Sequence, residues 1–83
     1  MTKESIFEKL RDILADLADI DREDIRPDSE MVYDIGLDSM EILKLISAIE
    51  KEYSIQIPVR MARTFVTVQD MADYTTAAIV EKG

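Results

Sequence analysis

The sequence predicts an all-α fold, a small antiparallel bundle of three main helices plus a short helix, with a long first loop. Three observations carry that expectation. Residues 3–18 and 39–53 each place apolar side chains at i, i+4, i+7 and i+11, the stripe of an amphipathic helix. A third segment, from residue 68, has Val68, Met71, Thr75 and Ile79 at helical spacing behind a capping threonine. Two glycines and two prolines in 83 residues leave little room for strands joined by tight turns. A chain this short is expected to form one domain, residues 1–83, without the interior for a deep enclosed catalytic cleft.

In the first helix Ile6, Leu10, Ile13 and Leu17 form the stripe, and Phe7 and Leu14 widen it. Thr2 or Ser5 is the expected cap, Ser5 having Glu8 three residues on. Residues 19–37 hold no helical period. Asp21 to Asp24 are expected to make a short turn, and Pro27 discourages continuation. A connection this long in so small a domain has to be well anchored or functional. Ile20, Ile25, Met31, Val32 and Ile35 are the expected anchors.

Asp38 then reads as the N-cap of the second helix, with Glu41 completing a capping-box pattern and Leu37 and Ile42 at the two positions of a hydrophobic staple. Ile42, Ile46, Ile49 and Tyr53 form its stripe, which Leu43 and Leu45 broaden, while Glu41, Lys44, Lys51 and Glu52 fall on the outer face. After Tyr53, Ile55 and Ile57 alternate, but Pro58 and the shortness of the run argue against a strand. Residues 59–65, with Met61, Ala62 and Phe65, are expected to make one or two helical turns. Thr67 caps the last helix, with Asp70 at the capping-box position.

The chain contains neither cysteine nor histidine. That removes disulfides, thiolate nucleophiles, ordinary zinc sites and the commonest general base. No apolar run is long enough to span a membrane, and Met-Thr-Lys-Glu-Ser at the N-terminus lacks the apolar core of a signal peptide, so a cytoplasmic protein is expected. A net charge of −8 argues against nucleic acid and for basic partner surfaces. The charge is uneven. From Asp19 to Glu41 nine acids (Asp19, Asp21, Glu23, Asp24, Asp28, Glu30, Asp34, Asp38, Glu41) face only Arg22 and Arg26. From Ile42 to Phe65 the sign reverses, with Lys44, Lys51, Arg60 and Arg63 against Glu50 and Glu52.

The acidic loop imitates a calcium loop only in part. Counting from Asp19, ligand types fall at positions three, five and twelve, but the sixth position, which wants glycine, is Asp24 and the ninth is Pro27. No metal site is therefore expected. A serine hydrolase would need a base beside Ser39 and a Gly-x-Ser-x-Gly elbow, and the chain offers neither a histidine nor that motif. The outer helix faces are acidic or mixed, a poor match to a membrane-surface helix.

Ser39 remains. As the first residue of the second helix, its hydroxyl would sit at the positive end of the helix dipole near unpaired N–H groups, a ready place for a phosphate. The stretch Ile35-Gly36-Leu37-Asp38-Ser39-Met40 resembles the motif of the acyl carrier protein family: an apolar residue, Gly, any residue, Asp, Ser, then Leu or Met. The following Glu-Ile-Leu-Lys-Leu-Ile-Ser-Ala-Ile-Glu resembles that family's second helix, and Ile57-Pro58 and Thr67-Val68 match its later segments, so the likeness runs over nearly the whole chain.

The resemblance implies that Ser39 is esterified by a 4′-phosphopantetheine arm, transferred from coenzyme A by a separate phosphopantetheinyl transferase, with Asp38 as the motif residue that caps the helix. It implies a monomeric, non-catalytic carrier whose arm ends in a thiol. Acyl intermediates held there as thioesters would pass among acyl-loading, condensing and other acyl-processing enzymes of a fatty-acid, polyketide or related pathway. Leu43, Ile46, Tyr53, Ile57, Phe65 and Met71 are the candidates for an acyl pocket. Asp38, Met40, Glu41, Lys44, Glu50, Lys51, Arg60 and Arg63 are the candidates for partner recognition. The family usually presents an acidic face here, which Lys44, Lys51, Arg60 and Arg63 interrupt. That departure points to a specialised member serving a dedicated pathway, since rim charges steer encounter and exclude wrong partners. The alternative reading of the residues is an unmodified acidic helical module that binds a basic protein.

Overall fold

The computed structural model describes residues 2–82. Helix α1 spans Lys3–Ala18, α2 Ser39–Tyr53, α3 Val59–Ala62 and α4 Val68–Lys82, with a single 3₁₀ turn at Arg22–Asp24. The expected bundle of three main helices and one short helix is the fold observed. Among the described residues there is no strand, only one isolated antiparallel bridge between Glu30 and Thr67.

Helix α1 packs between α2 and α4. It runs antiparallel to α2: Lys9 lies 3.6 Å from Glu52, while Asp12 and Asp16 share a groove with Lys44 and Ala48. On its other side Lys3 lies 2.9 Å from Asp73 of α4. The core takes Ile6, Leu10 and Leu14 from α1, Leu45, Ile46 and Ile49 from α2, and Val68, Met71, Ala72 and Thr75 from α4. The inward line of α1 thus follows i, i+4, i+8, and Ile13 and Leu17, expected to be central, are half-buried beside it. In α4, Ile79 is likewise half-buried. The buried Thr75 hydroxyl donates to the Met71 carbonyl at 2.8 Å, which satisfies it within its own helix.

Thr2 is the cap of α1. Its hydroxyl accepts from the Ser5 N–H at 3.1 Å, and Ser5 Oγ accepts from the Thr2 N–H at 3.2 Å. Glu8 is used elsewhere, pairing with Arg11 and Arg22. Helices α1 and α2 both end on a left-handed residue that is not glycine, Asp19 at φ 55° and Ser54 at φ 54°.

The long connection is held at every stage. Arg22 pairs with Glu8 and with Asp12 of α1, and Arg11 Nε donates to the Arg22 carbonyl at 2.7 Å. Ile25, Met31 and Leu37 are buried in the core. Ser29 closes a reciprocal turn with Arg26, its hydroxyl accepting from the Arg26 N–H at 2.9 Å while its own N–H donates to the Arg26 carbonyl at 3.0 Å. The loop then meets the start of α4. Met31 N–H donates to the Val66 carbonyl (2.9 Å), Val68 N–H to the Ser29 carbonyl (3.1 Å) and Gln69 N–H to the Pro27 carbonyl (2.9 Å). Donors that a helix start would leave unpaired are thus used to fasten the loop. Of the expected anchors, Ile25 and Met31 are buried and Ile20 and Ile35 half-buried, but Val32 is exposed, on the side of the cleft described below.

Candidate functional site

The last part of the loop is a compact hydrogen-bonded turn that delivers α2. The N–H groups of Asp34 and Ile35 both donate to the Glu30 carbonyl (2.8 and 3.0 Å), Asp34 Oδ2 accepts from the Glu30 N–H (2.7 Å), and Leu37 N–H donates to the Met31 carbonyl (3.0 Å). Gly36 turns the chain at φ +85°. A Cβ there would meet nothing within 4 Å, so the glycine answers a backbone requirement and no lack of space.

At Asp38 the capping box is complete. Asp38 Oδ1 accepts from the Glu41 N–H at 2.8 Å, and Glu41 Oε1 accepts from the Asp38 N–H at 3.1 Å. Leu37 is buried on the core side of this corner and Ile42 half-buried, as a staple requires. Ser39 is therefore the first helical residue and is exposed. Among the described residues its hydroxyl makes no hydrogen bond, and the N–H groups of Ser39 and Met40 have no protein acceptor. The site joins a free hydroxyl to the positive end of α2.

Beside Ser39 opens a cleft of about 380 Å³. One wall is α2, with Ile42, Leu43 and Ile46; the other is α3 and the residues after it, with Val59, Ala62, Arg63 and Phe65; Val32 of the loop stands at the side. Leu43 is 49% exposed, Val32 52% and Val59 58%, apolar side chains that line the cleft instead of the core. The Phe65 ring packs on Tyr74 of α4 at 5.5 Å between centroids, tilted by 53°, which ties that wall of the cleft to the bundle. Of the six pocket candidates, Leu43, Ile46 and Phe65 line this cleft. Met71 is buried in the core, Ile57 is buried beside Glu50 in the α2–α3 connection, and Tyr53 is half-buried at the end of α2. Burial, and then the neighbouring Glu52 charge, push the Tyr53 phenol pKa up. Ile42, Val59, Ala62 and Val32 also line the cleft, although the sequence does not mark them as pocket residues. The i, i+1 and i+4 spacing of Ile42, Leu43 and Ile46, which puts them on one side of a helix, is a usable signal, whereas the opposite wall depends on where α3 folds back.

The partner-recognition candidates divide. Met40 is 64% exposed on the Ser39 turn, and Tyr33 nearby in the loop is 85% exposed. Lys44, Lys51, Arg60 and Arg63 are exposed and, among the described residues, form no ion pair. Asp38 and Glu41 are tied to each other's N–H groups. Glu50 is committed to the fold: its carboxylate accepts from the Ile57 N–H at 2.8 Å, and its carbonyl accepts from Ser54 and Ile55. It closes α2 onto the connection to α3.

The sequence model described as "Phosphopantetheine attachment site" matches residues 8–75. The chain is 39% identical over 72 residues to the acyl carrier protein of Clostridium acetobutylicum, covering 87% of this chain and 94% of that protein. It is 38% identical over 71 residues to the acyl carrier protein of Clostridium perfringens, covering 86% and 93%. To the acyl carrier protein AcpXL of Rhizobium meliloti it is 46% identical over 52 residues, which is 63% of this chain and 55% of the relative. With the motif at an exposed helix start and a family match across most of its length, the chain belongs to the phosphopantetheine-binding family of acyl carrier proteins.

Proposed function

We propose that Ser39 is the residue that bears 4′-phosphopantetheine, and that the protein carries acyl groups between the enzymes of a pathway without catalysing a reaction itself. The observation that carries this reading is the free, exposed hydroxyl at the first position of α2, at the mouth of an apolar cleft. The residues present suit the arm. A phosphodiester at Ser39 Oγ meets the positive end of α2 and the unpaired Ser39 and Met40 N–H groups. When bound, the arm supplies a terminal thiol on which acyl groups are held as thioesters, a nucleophile that this cysteine-free chain does not encode. Asp38 and Glu41 hold the helix start rigid, so the direction in which the serine projects is fixed. The apolar walls formed by Ile42, Leu43, Ile46 and Val59 would exclude water from an alkyl chain lying in the cleft.

Recognition by the phosphopantetheinyl transferase and by loading, condensing and processing enzymes is assigned to the face around Ser39. Met40 gives it an apolar contact, Asp38 and Glu41 its acidic edge, and Lys44, Lys51, Arg60 and Arg63 its basic remainder. The unpaired cations favour a carrier dedicated to a specialised pathway, because exposed charges of one sign select partners while contributing little to folding. Among the described residues no helix is long and apolar enough to cross a membrane. Action as a monomer in the cytoplasm fits these features.

Intact-mass spectrometry after incubation with coenzyme A and a broad-specificity transferase tests the attachment. The wild-type protein is expected to gain the mass of one arm and Ser39→Ala none. Equal gain in the variant would place the arm elsewhere.

A further inference from the structure

We infer that Arg63 is an anion receptor for the group carried on Ser39, an inference that rests on Ser39 being the attachment point. The cations of α1 and of the loop's first turn are all used inside the chain. Lys3 pairs with Asp73 at 2.9 Å, Lys9 with Glu52 at 3.6 Å, Arg11 with Glu8 at 3.2 Å, and Arg22 with Glu8 and Asp12. Arg63 differs. In a chain with 18 acids to 10 bases, and among the described residues, it forms no ion pair and no side-chain hydrogen bond.

Its position is as telling as its freedom. Arg63 ends α3, where its N–H donates to the Val59 carbonyl at 3.1 Å, and it lines the cleft that opens at Ser39. It is the only charged residue in that lining, and Ser39 is the only other polar one. A lone cation beside apolar walls is less screened than one on an open surface, so its field reaches further into the cleft. The acids at the start of α2, the cap Asp38 and Glu41, are already engaged by backbone N–H groups. A planar guanidinium offers paired donors to a phosphate or a carboxylate, which a neutral alkyl chain cannot use. Two anions reach this place from Ser39: the phosphodiester of the arm, or an acidic end on the acyl cargo. Arg60, also on α3 and unpaired, is not in the cleft lining and provides the control.

The experiment compares wild type, Arg63→Met, Arg63→Lys and Arg60→Met, all exposed-site changes. Each is prepared unmodified, loaded from coenzyme A, and loaded from hexanoyl- and adipoyl-coenzyme A, with intact mass confirming one arm per chain. Melting temperature is the readout, at low salt and at about 1 M sodium chloride, where the Debye length falls to about 3 Å. Wild type is expected to gain about 4 °C when the anion reaches Arg63, the shift of a contact near the lower end of what a domain this size registers. Arg63→Met should lose that gain, Arg63→Lys should keep part of it, Arg60→Met should keep all of it, and high salt should reduce it. Loss on arm attachment identifies the phosphodiester. Loss confined to adipoyl against hexanoyl identifies a carboxylated cargo. Arg63→Met shifts equal to those of wild type in both comparisons would overturn the inference. Absence of the arm by mass would instead sink the attachment reading.

Discussion

In the loop before Ser39, the side chains of Arg22, Ser29 and Asp34 hold the chain in place; in α2, in α3 and at Arg63 just after it, the cations form no ion pair among the described residues. Asp34 and Ser29 accept loop N–H groups, and Arg22 bridges to two acids of α1. Beyond the turn, Lys44, Lys51, Arg60 and Arg63 form no ion pairs among the described residues. Glu50, with its bond to Ile57, is the exception on that side. The contrast separates charge that builds the site from charge that is left to meet other molecules. A loop of 19–37 that must present one serine in a fixed direction needs internal bonds; a docking face needs unspent ones.

The largest effect on folding is expected at the loop's buried anchor. Ile25 is fully buried, and Ile25→Ala is expected to cost about 2–5 kcal/mol in urea unfolding, as large-to-small core changes do. A loss below about 0.5 kcal/mol, the range of ordinary surface changes, would mean that the loop is not fastened as described.

A smaller effect belongs to Asp70, which holds the segment that receives the loop. Its Oδ2 accepts from Thr67 N–H at 3.1 Å and from Val66 N–H at 2.9 Å, and these bonds lower its pKa. A depressed carboxyl contributes stability that is present above its unfolded value of about 3.9 and is lost as pH falls through the folded one. Wild type should therefore lose more stability between about pH 5 and pH 3 than Asp70→Ala, measured by thermal melts across that range. Parallel curves would show that the cap is not stabilising the protein.

The smallest effect on folding is expected on the other side. Lys44→Glu, Arg60→Glu and Arg63→Glu should each change stability by no more than about 0.5 kcal/mol, while together they raise acyl loading by enzymes of bulk fatty-acid synthesis. Unchanged loading would remove partner choice as the reason for these cations.

Much of this was legible in the residues. The capping box and staple around Asp38 set the start of α2 at Ser39, because local hydrogen bonds and local apolar contacts suffice there. What needed the structure depends on distant partners. Nothing near Glu30 indicates that it bridges to Thr67, or that Ser29 and Pro27 carbonyls receive the first N–H groups of α4. Glu50 looks like an outer-face charge until the chain folds back and brings the Ile57 N–H to it. Val32 has the composition of an anchor, yet the turn at residues 30–37 sends Met31 and Leu37 inward and leaves Val32 at the cleft. Half of the cleft could be read from the helical offsets of α2. The other half waits on α3, a four-residue helix too short to show a period.

Ser39 alone is presented for attachment, although Ser29 lies ten residues upstream in the loop that leads to it. After reaction with coenzyme A and a transferase, fragmentation of the tryptic peptide covering residues 23–44 locates the arm directly. The arm is expected on Ser39, exposed and free, with Ser29 unmodified because that hydroxyl is buried and bonded to Arg26. An arm on Ser29, or a peptide that stays unmodified with an active transferase, would contradict it.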